Sequence, residues 1–178
     1  MMTVSANEFS LFVTRSSLAD GPQHVSLQAD AAQRAALVGR FRLSALDCLR
    51  VEAEVTDLGK DGVRVAGRLV AQVAQPCVVT AELVSQAIDE AFAVRLVPEE
   101  RLAAEGEDGW VDPEGEDVEP LAGDAIDIGE LAAQTLALAL DPYPRSPGAA
   151  LPEEVAASGS AESRANPFTV LKSLKDDS

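Results

Sequence analysis

The chain has 178 residues, 47% of them hydrophobic, and its formal net charge is −16. This length and apolar content predict a single folded domain with its own core and exclude global disorder. No apolar run approaches the roughly 20 residues of a membrane-spanning helix, and the N-terminus lacks the pattern of a signal peptide, so we expect a cytoplasmic protein without a membrane partner.

The negative charge is unevenly distributed along the chain. Residues 82–130 contain sixteen acidic and two basic residues, whereas residues 34–68 contain seven basic and five acidic ones. The chain therefore has a strongly acidic part and a mildly basic part, and each predicts a different kind of partner.

The first forty residues predict a strand and a short helix. Residues 9–14 are an apolar strand suited to a sheet edge, and a Gly-Pro turn follows at 21–22. Asp30 can cap a helix with Gln33 closing a capping box, and Gly39 supplies a C-terminal stop.

Residues 49–73 give the clearest hairpin signal, because apolar and polar side chains alternate on both sides of residues 59–61. A three-residue loop there fixes the register. It places Val55 opposite Val65 on one face of the sheet and Glu52 opposite Arg68 on the other. This cross-strand pair gives Arg68 a structural role.

The second half is less regular. Residues 78–97 fit a helix or a strand, Pro98 ends the element, and residues 99–120 predict a mobile acidic excursion. Asp127 then caps the main helix, with Glu130 in the reciprocal position, over residues 127–141. Residues 146–165 have the composition of a flexible linker, so the domain is expected to span residues 1–145.

The chain closes with a short helix signal at residues 166–175. Asn166 is a good N-cap, Pro167 suits the first helical position, and an apolar stripe follows, made of Phe168, Leu171 and Leu174. Such an amphipathic peptide needs a groove, either on its own domain or on a partner; its linker favours a partner.

Four blocks of this sequence together resemble one protein family. They are QPCVVT at 75–80, IDIGEL at 126–131, LALALDPYPR at 136–145 and NPFTVLKSLK at 166–175. In order and spacing they are similar to the bacterial YceD family, the large-ribosomal-RNA-accumulation proteins, over roughly residues 5–175. In many relatives a second cysteine follows shortly after the position of Cys77; here Val78, Val79 and Thr80 stand instead.

The resemblance implies strands over 78–97 and a non-enzymatic role in the accumulation of large-subunit ribosomal RNA or in ribosome assembly. We therefore expect an α+β fold. Its twisted antiparallel sheet of about five strands would be partly barrel-like, covered by the main helix and the shorter helix at residues 30–39.

Residues for catalysis are scarce. His24 is the single imidazole, it has no nucleophile motif beside it, and no phosphate-binding loop is present. Cys48 and Cys77 lack metal-ligand spacing, which indicates reduced structural thiols. We predict no catalytic residue, no metal site and no cofactor; a metal-dependent enzyme is the most distant alternative.

Two classes of partner are open. Direct binding of ribosomal RNA would use an arginine face made of Arg34, Arg40, Arg42 and Arg64, although the chain has three lysines and no aromatic pair for base stacking. The favoured alternative is capture of a basic ribosomal protein or large-subunit assembly intermediate by acidic residues and the C-terminal motif. Those acidic residues are Glu114, Glu116, Asp117 and Glu119. They could also act merely as a solubilising surface.

Overall fold

The computed structural model describes residues 8–98, 100–101 and 116–150. In chain order, its strands and α-helices are β1 (Phe12–Thr14), β2 (Gln23–Gln28), α1 (Ala31–Phe41), β3 (Ala45–Asp57), β4 (Val63–Pro76), β5 (Leu83–Pro98), β6 (Asp117–Leu121), β7 (Ala125–Asp127) and α2 (Ile128–Ala139). Two short 3-10 helices, Arg15–Leu18 and Gly59–Asp61, connect neighbouring strands.

Five strands form one open sheet in the order β2-β3-β4-β5-β6, and β1 pairs with β7 in a separate two-stranded ribbon. The α+β class is confirmed. The prediction of a purely antiparallel sheet is wrong, because β6 runs parallel to β5. A parallel neighbour needs a crossover connection of a dozen or more residues, and residues 99–116 supply that length. The sheet is not closed, so the barrel-like detail is not confirmed.

The hairpin of β3 and β4 has the predicted register, with Val55 opposite Val65 and Glu52 opposite Arg68. Glu52 and Arg68 are cross-strand neighbours as predicted, but the carboxylate that Arg68 binds belongs to Asp89. Arg68 lies on a strand with neighbours on both sides, and its guanidinium contacts Asp89 of β5 at 2.5 Å. The sequence pattern identified one adjacent strand only, and the acceptor lies on the other.

Residues 83–98 form a strand, as the family resemblance implied, and Pro98 ends it. Its even-numbered side chains turn toward the core from Ile88 onward, where Val94 and Leu96 are also buried. We call this side the inner face of the sheet and the opposite side the outer face. Strand β6 begins at Asp117, so the last residues assigned to the acidic excursion are part of the sheet.

Helix α1 begins at the predicted capping box between Asp30 and Gln33. The predicted stop at Gly39 is wrong, because the helix continues to Phe41. Arg42 takes the left-handed conformation after it (φ 54°), and its N–H donates to the Val38 carbonyl. The cap is therefore made by a non-glycine residue, which the glycine rule does not anticipate.

Helix α2 begins after Asp127, whose carboxylate accepts hydrogen bonds from the N–H groups of Gly129 and Glu130. The predicted main helix is thus confirmed, although it ends at Ala139. The reciprocal contact expected of Glu130 is wrong, because its carboxylate instead accepts two hydrogen bonds from Arg40 of α1.

Both helices cover the inner face. One core cluster joins Leu37 of α1 and Leu136 of α2 to Leu69 and Ile88 of the sheet. A second cluster lies toward the other end and includes Val55, Val65 and Ile126. Because the sheet is covered on one side, its outer face carries charged pairs such as that of Arg68 and Asp89.

Candidate functional site: an acidic groove beside an open strand edge

A groove of about 380 Å³ lies between α2 and the strands β5 and β6. Its apolar lining comes from Phe92 and Val94 of β5 and from Leu131 and Leu138 of α2. Leu138 is 86% exposed and Phe92 is half-buried, whereas Val94 and Leu131 are buried, so the apolar surface open to contact comes mainly from Leu138. The carboxylates of three residues complete the lining: Glu90, Asp117 and Glu119. We call this site the acidic groove.

The alternation of the strands brings these carboxylates together. Glu90 shares the inner face with Ile88 and Phe92 because side chains two residues apart lie on the same side of a strand. On β6, Leu121 is buried, so Asp117 and Glu119 share that side. The parallel register then places Asp117 next to Val94 and Glu119 next to Leu96.

The acids of the groove differ from the paired acids elsewhere. Within the described residues, no lysine or arginine forms an ion pair with Glu90, Asp117 or Glu119. Outside the groove, the hydrogen bond from Arg68 holds the pKa of Asp89 below its usual value. The groove therefore presents negative charge that the described part of the fold does not compensate by ion pairing.

The arginines proposed as an RNA face are partly engaged by carboxylates. The Arg40 guanidinium donates to both oxygens of Glu130 at 2.8 and 2.7 Å, and it lies 3.5 Å from Glu8. These partners raise the pKa of Arg40, the hydrogen bond to Glu130 most of all. Arg64 contacts Glu116 at 2.5 Å, and that hydrogen bond raises the pKa of the guanidinium and lowers that of the carboxyl.

The four arginines do not share one surface. Arg34 donates to the Ala29 carbonyl at the start of α1, and Arg42 is exposed at the end of the same helix. Helix α1 covers the inner face, through Leu37. Arg64 lies on the outer face, since its neighbours Val63 and Val65 on β4 are buried in the core.

The structure also divides the predicted acidic set. Glu116 is engaged by Arg64, while Asp117 and Glu119 line the groove. Glu114 and the C-terminal residues Asn166, Pro167, Phe168, Leu171 and Leu174 lie outside the described residues. The sequence interpretation missed Glu90; its position two residues before Phe92 in a strand was the available signal.

Cys77 lies in a second polar site, in the turn between β4 and β5. Its sulfur accepts hydrogen bonds from the N–H groups of Val79 and Thr80, both at 3.4 Å, and of Ser146 at 3.3 Å. The Thr80 side chain and the Ser146 N–H lower the pKa of the thiol to about 6. The thiol is 4% exposed, so this turn holds a buried sulfur in a cradle that favours the thiolate.

The remaining groups with possible chemistry are potential metal ligands and the imidazole of His24. Within residues 8–98, 100–101 and 116–150, no three side chains of the metal-binding types are grouped closely enough to hold an ion. The imidazole of His24 is exposed and lies 3.2 Å from Glu54 on the outer face. The same residues include no helix long and apolar enough to cross a membrane.

The open sheet, its two covering helices and the acidic groove define a small α+β protein with an acidic surface. Comparison with family models matches residues 65–175 to the family described as large ribosomal RNA subunit accumulation protein YceD. The match spans more than half of the chain, and the chain belongs to the YceD family. Searches of curated proteins and of solved structures gave no match.

Proposed function

We propose that this protein is a non-enzymatic factor in the accumulation of large-subunit ribosomal RNA, and that it acts in the cytoplasm through protein contacts. Its partner is a basic ribosomal protein or an assembly intermediate of the large subunit. The observation that carries this proposal is the acidic groove, where Glu90, Asp117 and Glu119 lie around a partly exposed apolar lining without a cationic side chain paired to them in the described structure.

A ribosomal protein needs its basic surface shielded before it meets RNA. Such proteins are small and strongly basic, so an acidic surface attracts them quickly and holds them reversibly. Exposed charges are screened beyond about 10 Å at 0.1 M salt, which makes the association sensitive to salt. RNA phosphates compete for the same cations, so assembly itself releases the cargo.

The C-terminal motif supplies a second contact in this proposal. Phe168, Leu171 and Leu174 recur at helical spacing, and a helix of this length is marginal unless it binds a surface. Burial of side chains of this size contributes roughly 1.5 to 3 kcal/mol each before the cost of ordering the peptide. Two modest contacts joined by a linker give a higher combined affinity than either gives alone.

Charge reversal in the acidic groove tests the electrostatic contact. Asp117→Lys with Glu119→Lys should weaken association with the basic partner and flatten its dependence on salt. The matched control is Asp20→Lys with Asp47→Lys, which makes the same change in net charge at two exposed positions outside the groove lining. Glu116 is left intact, because its loss would also break the ion pair with Arg64.

The measurement is recovery of partners from cell extract, with and without nuclease, followed by binding of the purified partner at several salt concentrations. A basic protein that is retained after nuclease and lost only from the groove variant supports the proposal. Equal retention by the groove variant and the control variant would remove the acidic groove from the interaction.

The C-terminal motif has its own test. Phe168→Ala with Leu171→Ala should reduce partner binding while the melting temperature stays unchanged. The reason is that, in this proposal, the apolar stripe contacts a partner and not the core of its own domain. Thr169→Ala with Ser173→Ala serves as the matched control at other positions of the same segment. A clear drop in melting temperature with intact binding would show that the segment stabilises its own domain.

Direct binding of ribosomal RNA is the second candidate, and exposed Arg42 is the observation that favours it. Arg42→Glu with Arg34→Gln leaves the Arg40 ion pair in place. If RNA binds there, a gel shift with a ribosomal RNA fragment should weaken in this variant and with rising salt. Absence of any shift at low salt would dismiss this candidate.

A further inference from the structure

Among the residues that the structure describes, the edge of β5 beside the acidic groove has a strand partner over only part of its length. Strand β4 pairs with β5 from Leu83 to Leu96. On the opposite side, β6 pairs with β5 only from Val94 to Pro98. Within the described residues, the backbone of residues 83–93 therefore has no neighbouring strand on that side.

This open edge is long. At about 3.4 Å per residue, residues 83–93 extend for roughly 37 Å, which is more than a typical strand of five or six residues needs. An open edge presents a row of backbone N–H and C=O groups that can pair with another chain. Peptide recognition by strand addition uses such an edge, with side-chain pockets beside it for selectivity.

The charges along the edge indicate which chain can pair there. Glu90 faces the groove on the inner side, and Asp117 lies where β6 begins. A second copy of this chain would bring the same carboxylates against them, and like charges directly opposite each other destabilise a strand pair. A lysine- or arginine-rich strand would instead place opposite charges beside Glu90 and Asp117.

We propose that residues 83–93 of β5 bind an extended basic segment of a partner protein as an additional strand, whose groove-facing side chains enter the acidic groove. The added strand lies in line with β6, on the same side of β5. Its groove-facing cationic side chains contact Glu90 and Asp117, and the aliphatic stems of those side chains pack on Phe92 and Leu138. This inference rests on the proposed function and names the site at which the basic partner is held.

The probe for this proposal is a fluorescent nine-residue peptide of alternating lysine and valine. Two further peptides carry N-methyl groups, one on every lysine and the other on every valine, with the charge unchanged. In an extended strand, residues of one parity direct their N–H groups to one edge, so an added strand uses only one of the two sets.

Strand addition therefore predicts an asymmetric result in fluorescence polarisation. One N-methylated peptide should lose at least tenfold in affinity, and the other should bind as the parent does. Hydrogen exchange of the full chain should show new protection at alternate amides of residues 83–93 when the parent peptide binds. Glu90→Lys should weaken the parent peptide, whereas Asp47→Lys, at an exposed position outside the groove lining, should not.

Equal affinity of the two N-methylated peptides, or protection that omits residues 83–93, would overturn strand addition. The proposed function would then survive as capture by charge alone, provided that the groove variant still loses its partner from cell extract. Protection of the same edge by a ribosomal RNA fragment, with no binding of the peptide, would also overturn it. Conversely, asymmetric peptide binding without any basic partner in extract would support the edge site and contradict the proposed function.

Discussion

Arg40 of α1 and Glu130 of α2 form a two-hydrogen-bond ion pair that joins the two covering helices. The guanidinium nitrogens lie 2.8 and 2.7 Å from the two carboxylate oxygens, the geometry in which arginine binds carboxylates most strongly. The pair is partly shielded, with Arg40 32% and Glu130 20% exposed. Any RNA contact by Arg40 would have to compete with this intramolecular partner.

This ion pair gives a prediction for stability against pH. The hydrogen bond from Arg40 lowers the pKa of Glu130 in the folded state from its ordinary value of 4.5. The stabilisation is therefore present above pH 4.5 and lost as the pH falls through the lower, folded-state pKa. We expect Glu130→Gln to cost about 1 kcal/mol at neutral pH and less near pH 3.

Urea unfolding at the two pH values measures this difference. A double-mutant cycle with Arg40→Gln isolates the pair, since the second substitution should cost little once the first is made. Additive losses from the two single variants would contradict the assignment.

A second prediction concerns the close approach of Gly129 to the start of the chain. A Cβ atom at this position would overlap the carbonyl oxygen of Phe9, whereas a Cβ at Gly39 in α1 would meet no atom within 4 Å. Gly129→Ala should therefore destabilise the protein by about 1 to 3 kcal/mol. Gly39→Ala should stabilise it by up to about 1 kcal/mol, because alanine is the better helix former.

Thermal and urea unfolding of the two variants, which make the same chemical change in two helices, provide the test. Equal effects of the two substitutions would show that the contact with Phe9 does not constrain α2.

The third prediction concerns Asp127, whose side chain forms hydrogen bonds with two segments that are distant in sequence. Its carboxylate caps α2 and also accepts hydrogen bonds from the Ser10 hydroxyl at 2.8 Å and the Leu11 N–H at 3.1 Å. Asp127→Ala should cost about 2 kcal/mol in the free energy of unfolding. Ser10→Ala removes a single one of these contacts and should cost less; the reverse order would refute the shared role of Asp127.

The fourth prediction concerns the thiol of Cys77. Because its pKa is lowered to about 6 from an ordinary value of 9.0, thiolate absorbance in a Cys48→Ala background should rise with a midpoint near pH 6. Thr80→Val should move the midpoint upward, since the Thr80 side chain is the largest cause of the lowering. A midpoint near pH 9 in the folded Cys48→Ala protein would show that the hydrogen-bonded cradle does not stabilise the thiolate.

The same thiol links stability to pH in a defined direction. The folded state favours the thiolate, so its stabilising contribution is complete above about pH 9 and is lost as the pH falls through about 6. The stability lost in Cys77→Ala should therefore grow between pH 6 and 9. Cys48→Ala, measured in parallel, corrects for the effect of removing a cysteine from the other site.

Local signals in the sequence were sufficient for part of this fold. Alternation over residues 49–73 fixed the register of β3 and β4, down to Val55 opposite Val65, because a shift by one residue would expose the core face. The capping box at Asp30 and the cap at Asp127 located the starts of both helices, since each uses groups within three residues.

Contacts between distant segments were decided by the tertiary structure. No local pattern indicates that β6 returns parallel to β5, yet this pairing places Asp117 and Glu119 beside Glu90 in one groove. The partners chosen by Arg40, Arg64 and Arg68 likewise depend on which strands and helices become neighbours. Sequence periodicity gives the face on which a side chain lies; only the packing of elements across the chain determines what that side chain meets.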